Sequence, residues 1–257
     1  SFHIRHPKER ASIAENFLFM MKGPGNYSEL DVKLLDLCLI LHAEHGGGNN
    51  STFSVRVTSS TLTDTYSAIA AGIGSLKGPL HGGANIKVNH MFEHLKGAIK
   101  KWDDVKEIDT YLKKMLNKEA YNKTGLIYGI GHAVNTISDP RSILLKEMAR
   151  KLAEEKGLQK EFAFLELLDV RAVNAFMNFK GSDINKQVCT NVDFYSGFVY
   201  EAMGLPTEVY TPLFAMSRIT GWTAHRIEEL NFASKRIIRP AYKNVGEKKP
   251  FVPMSKR

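Results

Sequence analysis

Apolar positions recur at helical spacing along most of the chain. Between residues 9 and 22, Ile13, Phe17, Leu18 and Met21 fall on one face, and Gly23-Pro24-Gly25 ends the run. Ser28 is placed to cap a strongly apolar helix through Leu30, Leu34, Leu37 and Leu41, which runs into His42-Ala43-Glu44-His45-Gly46-Gly47-Gly48. Three consecutive glycines do not comfortably continue a helix. Residues 63–76 read as a helix of small side chains, among them Ala68, Ala71, Gly72 and Gly74, suited to close packing against another helix. Further helices are predicted over 85–95, over 99–122 with Asp103 or Asp109 near the start, and over 159–179, 191–204 and 211–234. Asp139-Pro140 opens another that Gly157 closes, since an N-cap carboxylate followed by proline at the first helical position is a strong start. The Thr-, Val- and Ser-rich stretch 52–60 predicts a strand when read alone, a preference that tertiary context can override. The proline-bearing tail from Lys235 predicts loop or short strand. With about ten helices and almost no alternating pattern, the fold class is all-α.

Composition changes this picture little. The 257 residues are 43% apolar and 24% charged, as in an ordinary globular protein with a sizeable core. No apolar run is long enough to cross a membrane, and no signal-peptide pattern opens the chain. Cys38 and Cys189 do not make a disulfide framework, so reduced thiols and a cytoplasmic location are expected. The net charge of +8 is spread in short lysine clusters without a basic, aromatic-interleaved stripe. That pattern argues against nucleic acid and for an anionic substrate or co-substrate.

Candidate chemistry lies mostly at helix ends. His81 sits in Lys77-Gly78-Pro79-Leu80-His81-Gly82-Gly83-Ala84-Asn85, a helix-to-helix corner that is either a tight turn with a surface histidine or a site presenting one imidazole. His42 and His45 share one side of a helix terminus. They fit a polar terminus favoured by the helix dipole, a pair of donors for an anion or carbonyl, or, with Cys38, metal ligation, although no H-E-x-x-H or C-x-x-C companion is present. His132 follows Gly129-Ile130-Gly131, a loop whose N–H groups can face a phosphate or purine. His90 and His94 read as exposed bystanders. Asp193 stands where a helix begins, as a capping carboxylate or as a base walled by Phe194 and Tyr195. Arg141, Arg218 and Arg239 are candidates to grip carboxylates or to form internal salt bridges. Arg218 is the most telling, because a guanidinium inside an apolar run needs an anionic partner.

Taken together, the segments LHAEHGGGNNSTF, GPLHGGAN, GIGHAVNTISDPR, NVDFYSG, LFAMSRITGWTAH and RIIRP resemble the citrate synthase family in order and spacing, and the resemblance spans essentially the whole chain. It implies condensation of acetyl-CoA, as a co-substrate, with oxaloacetate, followed by hydrolysis of the thioester, with no resident cofactor and no metal. It implies that His81 hydrogen-bonds the thioester carbonyl, that Asp193 removes a methyl proton, and that His132 polarises the ketone. His42, His45, Arg141, Arg218 and, across a homodimer interface, Arg239 would hold oxaloacetate. Gly129, Ile130 and Gly131 would line the CoA adenine. Residues 1–83 and 207–257 would form what is present of a large domain, and 84–206 a small domain closing over the cleft. Family members carry a further, mostly helical N-terminal portion, so the chain corresponds to the family's C-terminal part. Two departures are His132-Ala-Val-Asn-Thr, which bears on nucleotide contacts, and Cys189-Thr190, which stands before Asn191 in place of the family's frequent Tyr-Pro. The alternatives are 2-methylcitrate synthase, which uses propionyl-CoA, and an inactive substrate-binding or assembly fragment.

Overall fold

The computed structural model describes residues 4–131, 137–180, 188–243, 245–246 and 250–256. These form ten α-helices: α1 (Ile13–Lys22), α2 (Glu29–His42), α3 (Asn50–Ser59), α4 (Thr65–Leu76), α5 (Ala84–Ala98), α6 (Val105–Leu116), α7 (Pro140–Lys156), α8 (Gln159–Lys180), α9 (Val192–Ala202) and α10 (Tyr210–Asn231). Among the described residues there is no sheet, only one isolated antiparallel bridge between Ile130 and Thr190. The all-α reading therefore holds.

Most helix starts use side-chain caps. Ser12, Ser28, Asp64, Asp104, Asp139 and Asn191 each accept a backbone N–H in the following turn. Ser28 and Asp31 form a reciprocal capping box. Gly157 closes α7 in the left-handed conformation.

Two expectations are corrected. The strand pattern at 52–60 is helical as α3, because Ser51, Thr52, Val55 and Ser59 are its buried positions and follow the helical repeat, not alternation. The stretch 99–122 is not one helix. Its first residues fold back, with the Lys100 and Lys101 N–H groups donating to Glu107 and the Trp102 indole donating to the Lys96 carbonyl. Asp104, rather than Asp103 or Asp109, caps α6, and Asp109 pairs with Arg171 on α8. Left-handed backbone at Lys118, Tyr121 and Lys123 follows the helix.

The main core is continuous from Leu34, Leu35 and Cys38 of α2 to Leu145 and Ala149 of α7 and Tyr195 and Val199 of α9. A second, smaller cluster of Val55, Ala68, Leu76 and Trp222 joins α3, α4 and α10. The small residues of α4 earn their place here: a Cβ at Gly72 would lie 2.6 Å from Val55 Cγ2 and 3.2 Å from the Trp222 ring. α10 crosses the end of α2 as closely, since a Cβ at Gly221 would lie 2.3 Å from the Ala43 carbonyl oxygen. These two contacts bring α2, α3, α4 and α10 to a common edge where the candidate residues gather.

Candidate active site

The corner carrying His81 is built by backbone contact. Gly82 N–H donates to the Leu76 carbonyl at 2.9 Å, and a Cβ there would come within 2.3 Å of that oxygen. Thr211 Oγ1 donates to the Gly82 carbonyl, tying the corner to α10. His81 is half-buried, with Nε2 2.9 Å from Ser51 Oγ and its ring edge-on to Phe214. Burial, then the nearby Arg218 charge, lowers its pKa below the usual histidine value, so the imidazole is neutral at neutral pH.

Asp193 is brought in by α9. Asn191, not Asp193, is the cap: its Oδ1 accepts the Asp193 N–H, leaving the Asp193 carboxylate to line the cleft. Asn191 is itself held by Gly129 and Gly131. Its N–H donates to the Gly129 carbonyl and its Nδ2 to the Gly131 carbonyl, while Gly131 N–H donates to the Cys189 carbonyl. The loop at Gly129, Ile130 and Gly131 thus sets the start of α9. Behind it, Tyr195 donates to Asp169 at 2.6 Å, and Asn85 bonds Ser196.

His42 at the end of α2 is buried, with Nδ1 2.8 Å from the Cys38 carbonyl. Only an N–H can satisfy a carbonyl, so Nε2 is the nitrogen left facing Asp193 Oδ1, 3.9 Å away. Burial raises the Cys38 thiol pKa to about 12, opposed by a hydrogen bond with Tyr200, so the free thiol stays protonated at neutral pH.

Arg218 on α10 is almost fully buried. Its Nε donates to the His42 carbonyl at 2.6 Å, its Nη1 to Asn49 Oδ1 at 3.2 Å, and its guanidinium stacks on Phe214. Among the described residues none of its partners is a carboxylate, and Nη2 has no acceptor. Burial lowers its pKa to about 10, which keeps it cationic at neutral pH. Arg226, also buried, differs: Nε, Nη1 and Nη2 are each taken up by oxygens of Thr65, Ser59 and Thr63, away from the cleft. Arg141 realises the internal salt bridge, gripping Asp139 with Nε at 3.0 Å and Nη2 at 2.8 Å while still lining the cleft.

One cleft of about 190 Å³ is lined by His42, His45, His81, Arg141, Asp193 and Arg218, together with Asn49, Asn191, Val192 and Phe214. Six separated candidates therefore converge. Arg239 does not join them; it is exposed in the tail after α10. His132 lies outside the described residues. His90 is exposed, and His94 pairs with Tyr111. Sequence reasoning missed Ser51, Asn49, Asp139 as the holder of Arg141, and Phe214. Of these only Phe214 left a signal, four residues before Arg218 on one helix face.

The arrangement can bind a small anion between Arg218, Arg141 and the imidazoles, and can set one carboxylate and one neutral histidine on either side of it. A family described as "Citrate synthase, C-terminal domain" matches residues 2–241. The chain is 41% identical over 254 residues to a citrate synthase of Acidithiobacillus ferridurans, covering 98% of this chain and 60% of that protein. It is 39% identical over 234 residues to a 2-methylcitrate synthase of Shewanella oneidensis, covering 91% of this chain and 56% of that protein. Its structure matches the citrate synthase of the thermophilic archaeon Thermoplasma acidophilum, solved as a ternary complex with carboxymethyl coenzyme A and oxaloacetate. That match has a TM-score of 0.77 and 34% identity, and covers 98% of this chain and 61% of that one. The chain thus spans about three fifths of the length of these relatives.

Proposed function

This chain belongs to the citrate synthase family, and from that premise we propose that the whole protein condenses acetyl-CoA with oxaloacetate and hydrolyses the citryl thioester. The observation that carries the reading is the convergence of His81, Asp193 and Arg218 on one cleft. Asp193 removes a methyl proton of the acyl group while His81 donates a hydrogen bond to the thioester oxygen, where negative charge develops. For that role His81 needs its proton on Nδ1. Ser51 Oγ lies 2.9 Å from His81 Nε2 and 3.0 Å from Asn49 Oδ1, and this tautomer follows where its single hydroxyl proton goes to Nε2.

The enol or enolate then attacks the ketone of oxaloacetate, which His132 polarises and later protonates. Arg218 and Arg141 hold the carboxylates, with His42 and His45 beside them. Arg218 is preorganised for this, since the groups it hydrogen-bonds among the described residues are neutral. Gly129, Ile130 and Gly131 line the CoA adenine. No metal takes part.

The cleft walls come from 1–83 and 207–257 on one side and 84–206 on the other, which supports a two-domain division with closure over substrate. The outer face of α4 carries exposed Tyr66 and Ile73, with no charged residue from 65 to 76. This apolar face supports a homodimer, across which Arg239 would reach the partner's cleft. Among the described residues no helix is long and apolar enough to cross a membrane, and both described cysteines are free, which supports a cytoplasmic location.

The 2-methylcitrate synthase relative, of comparable identity, keeps propionyl-CoA as the second reading. Thiol release from acetyl-CoA or propionyl-CoA, with and without oxaloacetate and in EDTA, tests both. Oxaloacetate-dependent release from acetyl-CoA is expected, and a preference for propionyl-CoA would select the second reading. Activity that appears only when the remaining part of the family's length is supplied would mark this chain as a substrate-binding portion.

A further inference from the structure

The segment leading to His45 is pinned along one face of α10. Ser217 donates its hydroxyl to the Leu39 carbonyl, Arg218 donates to the His42 carbonyl, and Gly221 N–H donates to the Ala43 carbonyl at 3.1 Å. One turn on, His225 Nε2 stands 2.7 Å from Glu44 Oε1. After another turn, Glu229 pairs with Arg56, whose Nη1 donates to the Gly47 carbonyl at 3.3 Å. Positions 217, 218, 221, 225 and 229 recur at helical spacing, so one helix face sets the path of residues 39–47.

The His225 contact differs from the others in what it controls. Glu44 turns back on its own loop, and its two carboxylate oxygens accept the Gly46 N–H at 3.0 and 2.8 Å. Gly46 has φ +82°, a left-handed backbone that needs such a fixed partner to be held in one geometry. Gly47 closes the unit from the other side: a Cβ there would lie 3.2 Å from both His225 Cε1 and Arg56 Nη1. His45 is the residue between Glu44 and Gly46, and it lines the cleft. Partial burial acts to raise the Glu44 pKa, but hydrogen bonds from Gly46 and His225 hold it below the usual carboxylate value, so Glu44 is an anionic acceptor at neutral pH.

We propose that His225 is a positioning residue for the substrate anion, which clamps Glu44 and through it fixes the Gly46 turn and holds the His45 side chain in its cleft-facing geometry. The inference rests on the assignment of His45 to oxaloacetate. His225 is not among the residues that line the cleft. Its loss therefore weakens anion binding rather than the proton transfers. A histidine–carboxylate pair at this partial exposure adds little to global stability, so its effect is separable from unfolding.

The test uses the 257-residue chain with His225→Ala, His225→Gln and Glu44→Gln. Oxaloacetate affinity is read by calorimetry, KM and kcat by thiol release, and the Gly46 amide by hydrogen exchange. His225→Ala and Glu44→Gln are expected to weaken oxaloacetate binding about tenfold, the scale of one charge-assisted hydrogen bond, with kcat within about twofold and faster exchange at Gly46. His225→Gln, which retains a donor for Glu44, is expected to recover most of the affinity. Unchanged affinity and exchange in His225→Ala would overturn the proposal, as would a glutamine variant no better than the alanine one, or a fall in kcat that tracks the melting temperature. If the unaltered chain takes up no oxaloacetate, the functional reading fails by itself. Gly46 exchange in His225→Ala then still judges the clamp, and unchanged exchange overturns it.

Discussion

Ser51 Oγ lies 2.9 Å from His81 Nε2 and also accepts the Trp222 indole N–H at 3.2 Å. A hydroxyl at the buried face of α3 thus links the histidine at the α4 corner to the second core cluster. Removing it leaves the Trp222 indole and His81 Nε2 without this hydroxyl. Ser51→Ala is expected to cost about 1–2 kcal/mol in urea unfolding. It is also expected to lower kcat tenfold or more, in line with the ~10²–10⁴ range for a positioned acid or base, while the KM for oxaloacetate changes little. A matching rise in KM would assign Ser51 to binding instead.

The depressed pKa of His81 gives a pH signature. Its folded value lies below the unfolded one, so the unfolded chain binds more protons across the window between them. The stability it contributes is fully present above the ordinary histidine value of about 6.5 and is lost as pH falls from there through the folded value. Melting temperature should therefore drop with acidification in that window, and His81→Gln should flatten the slope. The acid limb of kcat/KM should likewise fall below the ordinary histidine value, since the thioester role uses the neutral ring.

Gly72 is expected to resist substitution for steric reasons. A methyl group at this position overlaps Val55 and presses on Trp222, and neither side chain is flexible enough to withdraw. Gly72→Ala should destabilise the chain by about 1–3 kcal/mol despite the better helix propensity of alanine. Gly74 on the same helix has open space around it, so Gly74→Ala should be neutral or stabilising in the same urea titration.

These positions also show where the sequence could be read and where it could not. His42, His45, His81, Asp193, Arg141 and Arg218 stand in distinctive local settings, at glycine-flanked helix ends or inside apolar runs; each alone was open to a structural reading, and they became candidates together. Ser51 and Asn49 are ordinary polar residues whose roles arise only when α3 packs against α4 and α10. The same packing turns the β-branched stretch of α3 into a helix against its local preference. The fold-back at 99–104 depends on Glu107 accepting two backbone N–H groups, a contact that apolar periodicity does not encode. Asp139 was legible as a cap, but its second task, holding the Arg141 fork, arises only from the side-chain geometry of the folded chain.

Arg218 gives the sharpest separation of stability from binding. Its guanidinium is buried without a hydrogen-bonded carboxylate among the described residues, so it bears a desolvation cost offset by two neutral acceptors and the Phe214 ring. Arg218→Met keeps similar bulk against Phe214 but leaves the His42 carbonyl without its side-chain donor, while Asn49 Oδ1 keeps Ser51. These effects oppose one another, and unfolding free energy should change by about 1 kcal/mol or less. Oxaloacetate binding should weaken by about 2–5 kcal/mol, because a dianion would enter the cleft without its buried cation. Thermal shift with and without oxaloacetate checks both halves together: the wild-type chain should gain stability with ligand, and Arg218→Met should start near the same melting temperature and gain almost none. A variant that melts far lower without ligand would mean that Arg218 chiefly supports the α2–α10 crossing.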